Sequence, residues 1–311
     1  MLFRSWDAAQ TQSEVVDVLP TSSASVALNL YESGAADIVW DKFLVPNELL
    51  DVLLKRPDFH TYDYLGSFFC RYNVSRPPFN DVRVRRAFTQ AIDKAQLARK
   101  ITKGGETPAR SHTPPATPNY TPPDGLEFDP AAARRWLAEA GFPGGAGFPA
   151  VVYLFNAAGG GGANQDGKIA VELQAMWQRE LGVTVALKAM ENKTFLAAQN
   201  HLEYDVCRSG WIADYDDANT FLDMFMSNNG NNRTGWASAP YDALIRQANQ
   251  QTVPAKRAEI LRQAETLLIH DELPIVPLYF YAGVNFFDPK KVEGIYQNLL
   301  DEHPIYLIRK K

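Results

Sequence analysis

Strand-like and helix-like segments alternate through the middle of this chain, and the alternation predicts an α/β fold on a largely parallel sheet. Three observations carry the expectation. Between residues 150 and 212 each apolar strand pattern is followed by a helical one. The helices carry their apolar residues on one stripe, so each packs by one face. The chain then returns to strands at its end, in "PIVPLYFYAGVNFF" and "HPIYLIRK", and shows no internal repeat.

Up to Tyr64 the signals are short: a strand-like "VVDVL", a helix closed by Gly34, a strand "ADIVW" and a helix "NELLDVLLK" ended by Pro57. A clear strand covers Tyr64 to Asn73. Asn80 or Asp81 then caps a helix with apolar residues at Val84, Ala87, Phe88, Ala91, Ala95 and Ala98. Six prolines from Pro108 to Pro123 rule out regular structure, so this stretch is an ordered crossing or a lid. Asp129 and Pro130 start a helix that Gly141 stops. Strand 150–155, helix 168–181, strand 183–190, helix 193–201 and strand 204–212 follow, and then helices near 240–251 and 254–271.

The totals bound the function. A chain of 311 residues with 46% hydrophobic content can bury a substantial core. A formal charge of -5 with scattered Lys and Arg argues against nucleic acid. No apolar run reaches the ~20 residues of a membrane span, and "MLFRSWDAAQ" lacks the apolar core of a signal peptide. Cys70 and Cys207 lack metal-type spacing, and His60, His112, His201, His270 and His303 never fall within one helical turn of each other, so no metal or cofactor is expected. "GANQDGK", Gly162 to Lys168, has phosphate-loop spacing between a strand and a helix. Ile169 stands where a magnesium-holding Ser or Thr belongs, however, and Asp166 would set a carboxylate beside the phosphates, so a nucleotide enzyme is the lesser reading.

The chemistry-bearing stretch is "RSGWIADYDDANTF", where Asp214, Asp216 and Asp217 follow Trp211 at the end of an apolar strand. An acid/base hydrolase needs two carboxylates held about 5 to 9 Å apart, which three clustered acids do not establish. A calcium loop needs oxygen ligands at alternating positions and a glycine, and Ala218 breaks that series. Binding without turnover fits better, and no enzyme is expected. Asp216 and Asp217 suit the capping of a helix near Asn219. Arg208 has an internal alternative, pairing with Asp205 or Asp214.

"YNVSRPPFNDVRVRRAFTQAIDK", residues 72 to 94, closely resembles the signature of the extracytoplasmic solute-binding proteins of ABC importers, the family of oligopeptide- and dipeptide-binding proteins. "VLPTSSASVALNLYESGAADI", "RSGWIADYDDANTFLDMF" and the carboxyl-terminal strands resemble the same family, in order, from Val16 to Lys311. The resemblance implies a hinged, two-lobe periplasmic binding protein of type II with the amino-terminal part of the first lobe missing: residues 1–66 a first-lobe remnant, 67–272 a complete second lobe, 273–311 the return to the first. It implies a peptide ligand, ABC permease subunits as partners, an expected monomer, and a periplasmic or cell-surface location, with the membrane reached only through the transporter or a missing lipid anchor. It places Asp214 against the peptide's α-ammonium, Trp211 as an apolar wall and Arg208 as an anchor for the peptide carboxylate, with Tyr64, Asn156 and Tyr215 at other cleft positions. Relatives that bind oligosaccharides, nickel chelates or opines leave the solute open, and a non-functional fragment is the remaining alternative.

Overall fold

Residues 13, 15–158 and 163–311 are described in the computed structural model. The chain opens with helix α1 (Ala24–Glu32), whose first turn is capped by Ser23 Oγ accepting from Val26 N at 3.3 Å. Strand β1 (Ile38–Val39) and the single turn α2 (Leu50–Leu53) follow. Residues 15–19, expected as a strand, have no ladder partner among the described residues and leave Val15 and Val18 exposed.

Strand β2 (Phe59–Tyr72) begins five residues before the apolar pattern does, because its first half pairs with the far end of the chain instead of burying both its faces. The expected helix over 84–98 is broken in two. Asp81, rather than Asn80, caps α3 (Val82–Gln90) by accepting from Arg83 N, and Asp93 caps a new turn, α4 (Lys94–Leu97). The apolar stripe runs straight through the break, so periodicity could not show it. The proline-rich crossing contributes β3 (Thr107–Pro108) at its start, and α5 (Pro130–Glu139) begins with the expected Asp129 cap. Then come β4 (Val151–Ala158), α6 (Ala163–Leu181), β5 (Val185–Glu191), α7 (Asn192–Asn200) and β6 (Val206–Ile212). The short α8 (Asn219–Leu222) leads to α9 (Ala239–Gln250), α10 (Pro254–Thr266) and the long β7 (Ile275–Phe287). Of "HPIYLIRK" little is strand: β9 (Arg309–Lys310) pairs with β8 (Val292–Glu293), preceded by a 3-10 turn.

The main sheet has the order β1-β7-β2-β6-β4-β5, with β3 against β7. It is mixed rather than largely parallel. Helices α6 and α7 carry the chain across from β4 to β5 and from β5 back to β6, so β4 runs parallel to β5 and β6, while β1, β2 and β7 pair antiparallel. One face is covered by α3, α5 and α6, where Trp177, fully buried, donates Nε1 to Phe88 O at 3.0 Å; truncating such a side chain costs about 3–5 kcal/mol. The other face packs on α8, α9 and α10. A separate small core joins α1, β1 and α2 to Phe59, Val284 and Phe286.

Cys70 and Cys207 are free and buried. In the β2–β6 register Cys70 faces Arg208 and Arg71 faces Cys207, so the two thiols sit one step apart on opposite faces of the sheet and cannot meet.

Candidate functional site

Parallel strands deliver their carboxyl ends to one edge of a sheet, and that edge is where open α/β sheets take ligands. Here β4 and β6 share it. Leu154 lies opposite Cys207, so the same register brings Asn156, two residues on, level with Ser209, two residues before Trp211. Strand β2 reaches the same edge from the other side. Its ladder with β7 slips between Asp63 and Ser67, which releases Leu65 to donate to Leu299 O and to accept from Ala213 N, both at 2.8 Å. Tyr64 is therefore held beside the turn that bears Asp214.

Strand alternation separates the candidates on β6. Trp211 stands on the face that packs against α8 and α10, and its Nε1 donates to Thr220 Oγ1 at 3.4 Å. The same hydroxyl accepts from Asp214 N at 3.3 Å, so Thr220 ties the wall residue to the turn. Asp214 is exposed, and among the described residues no Lys or Arg forms an ion pair with it. Tyr215 next to it is also exposed.

Arg208 points to the opposite face. Its guanidinium lies 5.3 Å from the Phe68 ring centroid, and Nε stands 2.9 Å from Asp166 Oδ2 at an angle poor for a hydrogen bond. The expected partners are both wrong: Asp205 pairs with Arg76 at 2.9 Å and accepts from Val152 N, and Asp214 is not in reach. Burial pushes the Asp166 carboxyl up to about 6 against the pull of Arg208. Burial would lower Arg208, but Tyr281 and Asp166 hold it above its ordinary value. In "GANQDGK" the chemistry is thus committed elsewhere: Asp166 faces Arg208, Lys168 Nζ lies 3.3 Å from Glu48, and Ile169 is fully buried, while Gly162 lies outside the described residues.

Of the remaining acids, Asp217 does the capping, accepting from Asn219 N at 2.8 Å, and Arg257 grips it through two bonds of 2.7 and 2.9 Å. Burial opposes the charge, yet these bonds hold Asp217 below the usual carboxylate range. Asp216 is exposed. Asp223, half-buried, is raised by burial and then by the charge of Asp214. Asn156 keeps its Oδ1 buried without a donor, and burial followed by the charges of Asp301 and Asp41 pushes Tyr64 up to about 12.

The sequence assigns three residues at this edge none of the roles they have here. Asp166, 42 residues from Arg208, reads only as a misfit beside phosphates, and Thr220, six residues after Asp214, is passed over within the same stretch. Tyr281 crosses β6 and β2 at Gly210 and Gly66, where an added Cβ would stand 2.8 Å from its hydroxyl and 2.7 Å from its ring. Glycines inside strand patterns were the available signal.

The family model for bacterial extracellular solute-binding proteins, family 5 Middle, matches residues 5–233. The chain is similar to the dipeptide-binding protein DppE of Bacillus subtilis, 32% identical over 96% of this chain and 54% of the relative. It is also similar to the periplasmic oligopeptide-binding protein OppA of Salmonella typhimurium, 33% identical over 91% of this chain and 52% of the relative. Among solved structures, the periplasmic oligopeptide-binding protein OppAIV of Borrelia burgdorferi superposes with a TM-score of 0.85 at 27% identity, covering 98% of this chain and 60% of that one. The murein tripeptide-binding protein MppA of Escherichia coli gives 0.84 at 28% identity, over 98% and 60%. The chain thus spans about half the length of these curated relatives.

Proposed function

The chain belongs to the bacterial extracellular solute-binding proteins, family 5, and on that premise we propose that it captures a peptide through the peptide's free amino terminus and presents it to the permease of an ABC importer. The observation that carries the reading is Asp214. Its neighbour Asp217 is already neutralised by Arg257, whereas Asp214 stands at the ligand edge of the sheet with its charge uncommitted. A carboxylate in that position suits an ammonium, and the bond gains strength as closure excludes water. Trp211 then walls the amino-terminal residue, and Tyr64, Asn156 and Tyr215 line the approach. Arg208 receives the peptide carboxylate only by sharing it with Asp166. Backbone pairing of an extended peptide leaves its side chains free to vary.

The same reading divides the chain into a first-lobe portion, residues 1–66 and 273–311, and a second lobe, 67–272. It is supported by the small core around α1, which draws only on the first-lobe portion. It further takes the protein as a monomer working outside the cytoplasmic membrane, as its periplasmic relatives do; no helix among the described residues is long and apolar enough to cross one. Calorimetric titration with a free-amine tripeptide and its N-acetyl counterpart tests the proposal. Binding of the first and not the second is expected, and equal affinity for both would remove the amine anchor.

A further inference from the structure

Arg71 lies on β2, on the face that carries Phe69, and is 3% exposed. Its guanidinium stands 5.5 Å from the Phe69 ring centroid, and its Nε and Nη1 have no hydrogen-bond partner among the described residues. The groups that act on its charge are Tyr204, Cys207 and Arg233, none of them a carboxylate. Burial holds the Cys207 thiol up at about 11 and raises Tyr204 well above its ordinary value, so both are neutral at neutral pH.

Arg233 adds a second charge of the same sign. Its Nε is also buried without a partner, and Nη1 reaches only Gln199 Oε1, at 3.4 Å. Its backbone is fixed: Tyr204 donates its hydroxyl to Arg233 O, Val74 N donates to Thr234 O at 2.9 Å, and Asn232 Nδ2 donates to the carbonyls of Phe225, Met226 and Trp236. Arg233 is only partly buried, which gives the cluster an opening. Nearby acids are spent elsewhere. Asp205 serves Arg76 and Val152 N, and Glu265 accepts from His112 N, Thr113 N and Tyr120.

A buried cation without a counter-charge is costly, and unsatisfied buried donors call for a partner from outside. We infer that Arg71 and Arg233 hold a small monoanion, of chloride or carboxylate size, between Arg71 Nε and Nη1 and Arg233 Nε. The anion comes either from solution or, on the peptide-binding reading, from an acidic side chain of the bound peptide.

The 311-residue protein is melted in sodium gluconate, whose anion is far larger than the one inferred, with chloride or formate replacing it stepwise at constant ionic strength. A saturable rise in melting temperature is expected in the wild type, absent from Arg71→Met and kept in part by Arg71→Lys. Peptides differing only by Glu for Gln separate the two sources. At least a tenfold preference for Glu that Arg71→Met abolishes assigns the anion to the peptide, while a salt effect without that preference assigns it to solution. Melting temperatures identical in all three salts, together with no preference between the peptides, would overturn the site, and this comparison needs no variant to fold. The salt arm is independent of the amine anchor, so its failure and that of the peptide-binding reading are told apart.

Discussion

Arg208 Nε stands 2.9 Å from Asp166 Oδ2, and this one pair binds β6 to α6 across the face of the sheet. Removing one partner leaves the other's charge buried, so Asp166→Ala is expected to cost about 3–5 kcal/mol in urea denaturation. The double change Asp166→Leu with Arg208→Met is expected to recover most of that, since an apolar pair needs no solvation. Equal losses in the single and double variants would show that the pair does not act as a unit.

Asp214→Asn is expected to weaken binding of a free-amine peptide by about 2–5 kcal/mol, the range for unpairing a buried interfacial charge. That is roughly 30-fold to several thousandfold in affinity. Acetylating the peptide should add little once Asp214 is gone, because both changes remove one interaction. Asp217→Asn should instead leave affinity alone and cost about 1 kcal/mol of stability, through its half-exposed pair with Arg257. Calorimetry and denaturation on the same two variants check both halves.

Glu265 predicts a pH effect. Fully buried, it is pushed up to about 7 by burial, opposed by donors from Thr113, Tyr120 and His112. The folded state therefore holds this proton more tightly than the unfolded chain, whose carboxyl titrates near 4.5. The stabilisation is complete below that value and is lost as pH rises through about 7. Relative to Glu265→Gln, which keeps an acceptor for the two backbone donors, the wild type should lose up to about 3 kcal/mol between these limits. A stability difference that stays flat from pH 4 to 8 would contradict the raised carboxyl.

Tyr281 demands glycine at two strand positions. A Cβ at Gly66 or Gly210 would meet its ring or hydroxyl at 2.7 or 2.8 Å. Each Gly→Ala change is expected to cost about 1–3 kcal/mol, typical of overpacking. In a Tyr281→Ala background the same changes should cost far less, which a thermal-melting double-mutant cycle would show.

Much of this architecture was legible before any coordinates. The caps Asp129 and Pro130, the crossing over Pro108 to Pro123 and the alternation over 150–212 depend on local chemistry, and the structure keeps them. What failed was non-local. Nothing near "VVDVL" shows that it lacks a ladder partner among the described residues, and nothing near β2 shows that β7 pairs with it antiparallel. At the candidate site, Trp211 and Asp214 could be read from one strand end. The partner of Arg208 lies 42 residues upstream on another element, where only tertiary packing sets the distance.

Strand β7 lies between β1 and β2, although it is made more than two hundred residues after them. During synthesis β1 has no neighbour and β2 keeps an open edge until residues 275–287 have left the ribosome. The entropic cost of closing that loop is therefore met only after residues 275–287 are made, which makes this a late and slow step of folding. A nascent chain halted before Ile275 should remain protease-sensitive along β1 and β2, and gain protection only when β7 is added. Until that moment β1 and the outer edge of β2 keep their backbone donors and acceptors unpaired, a template for any other strand that meets them.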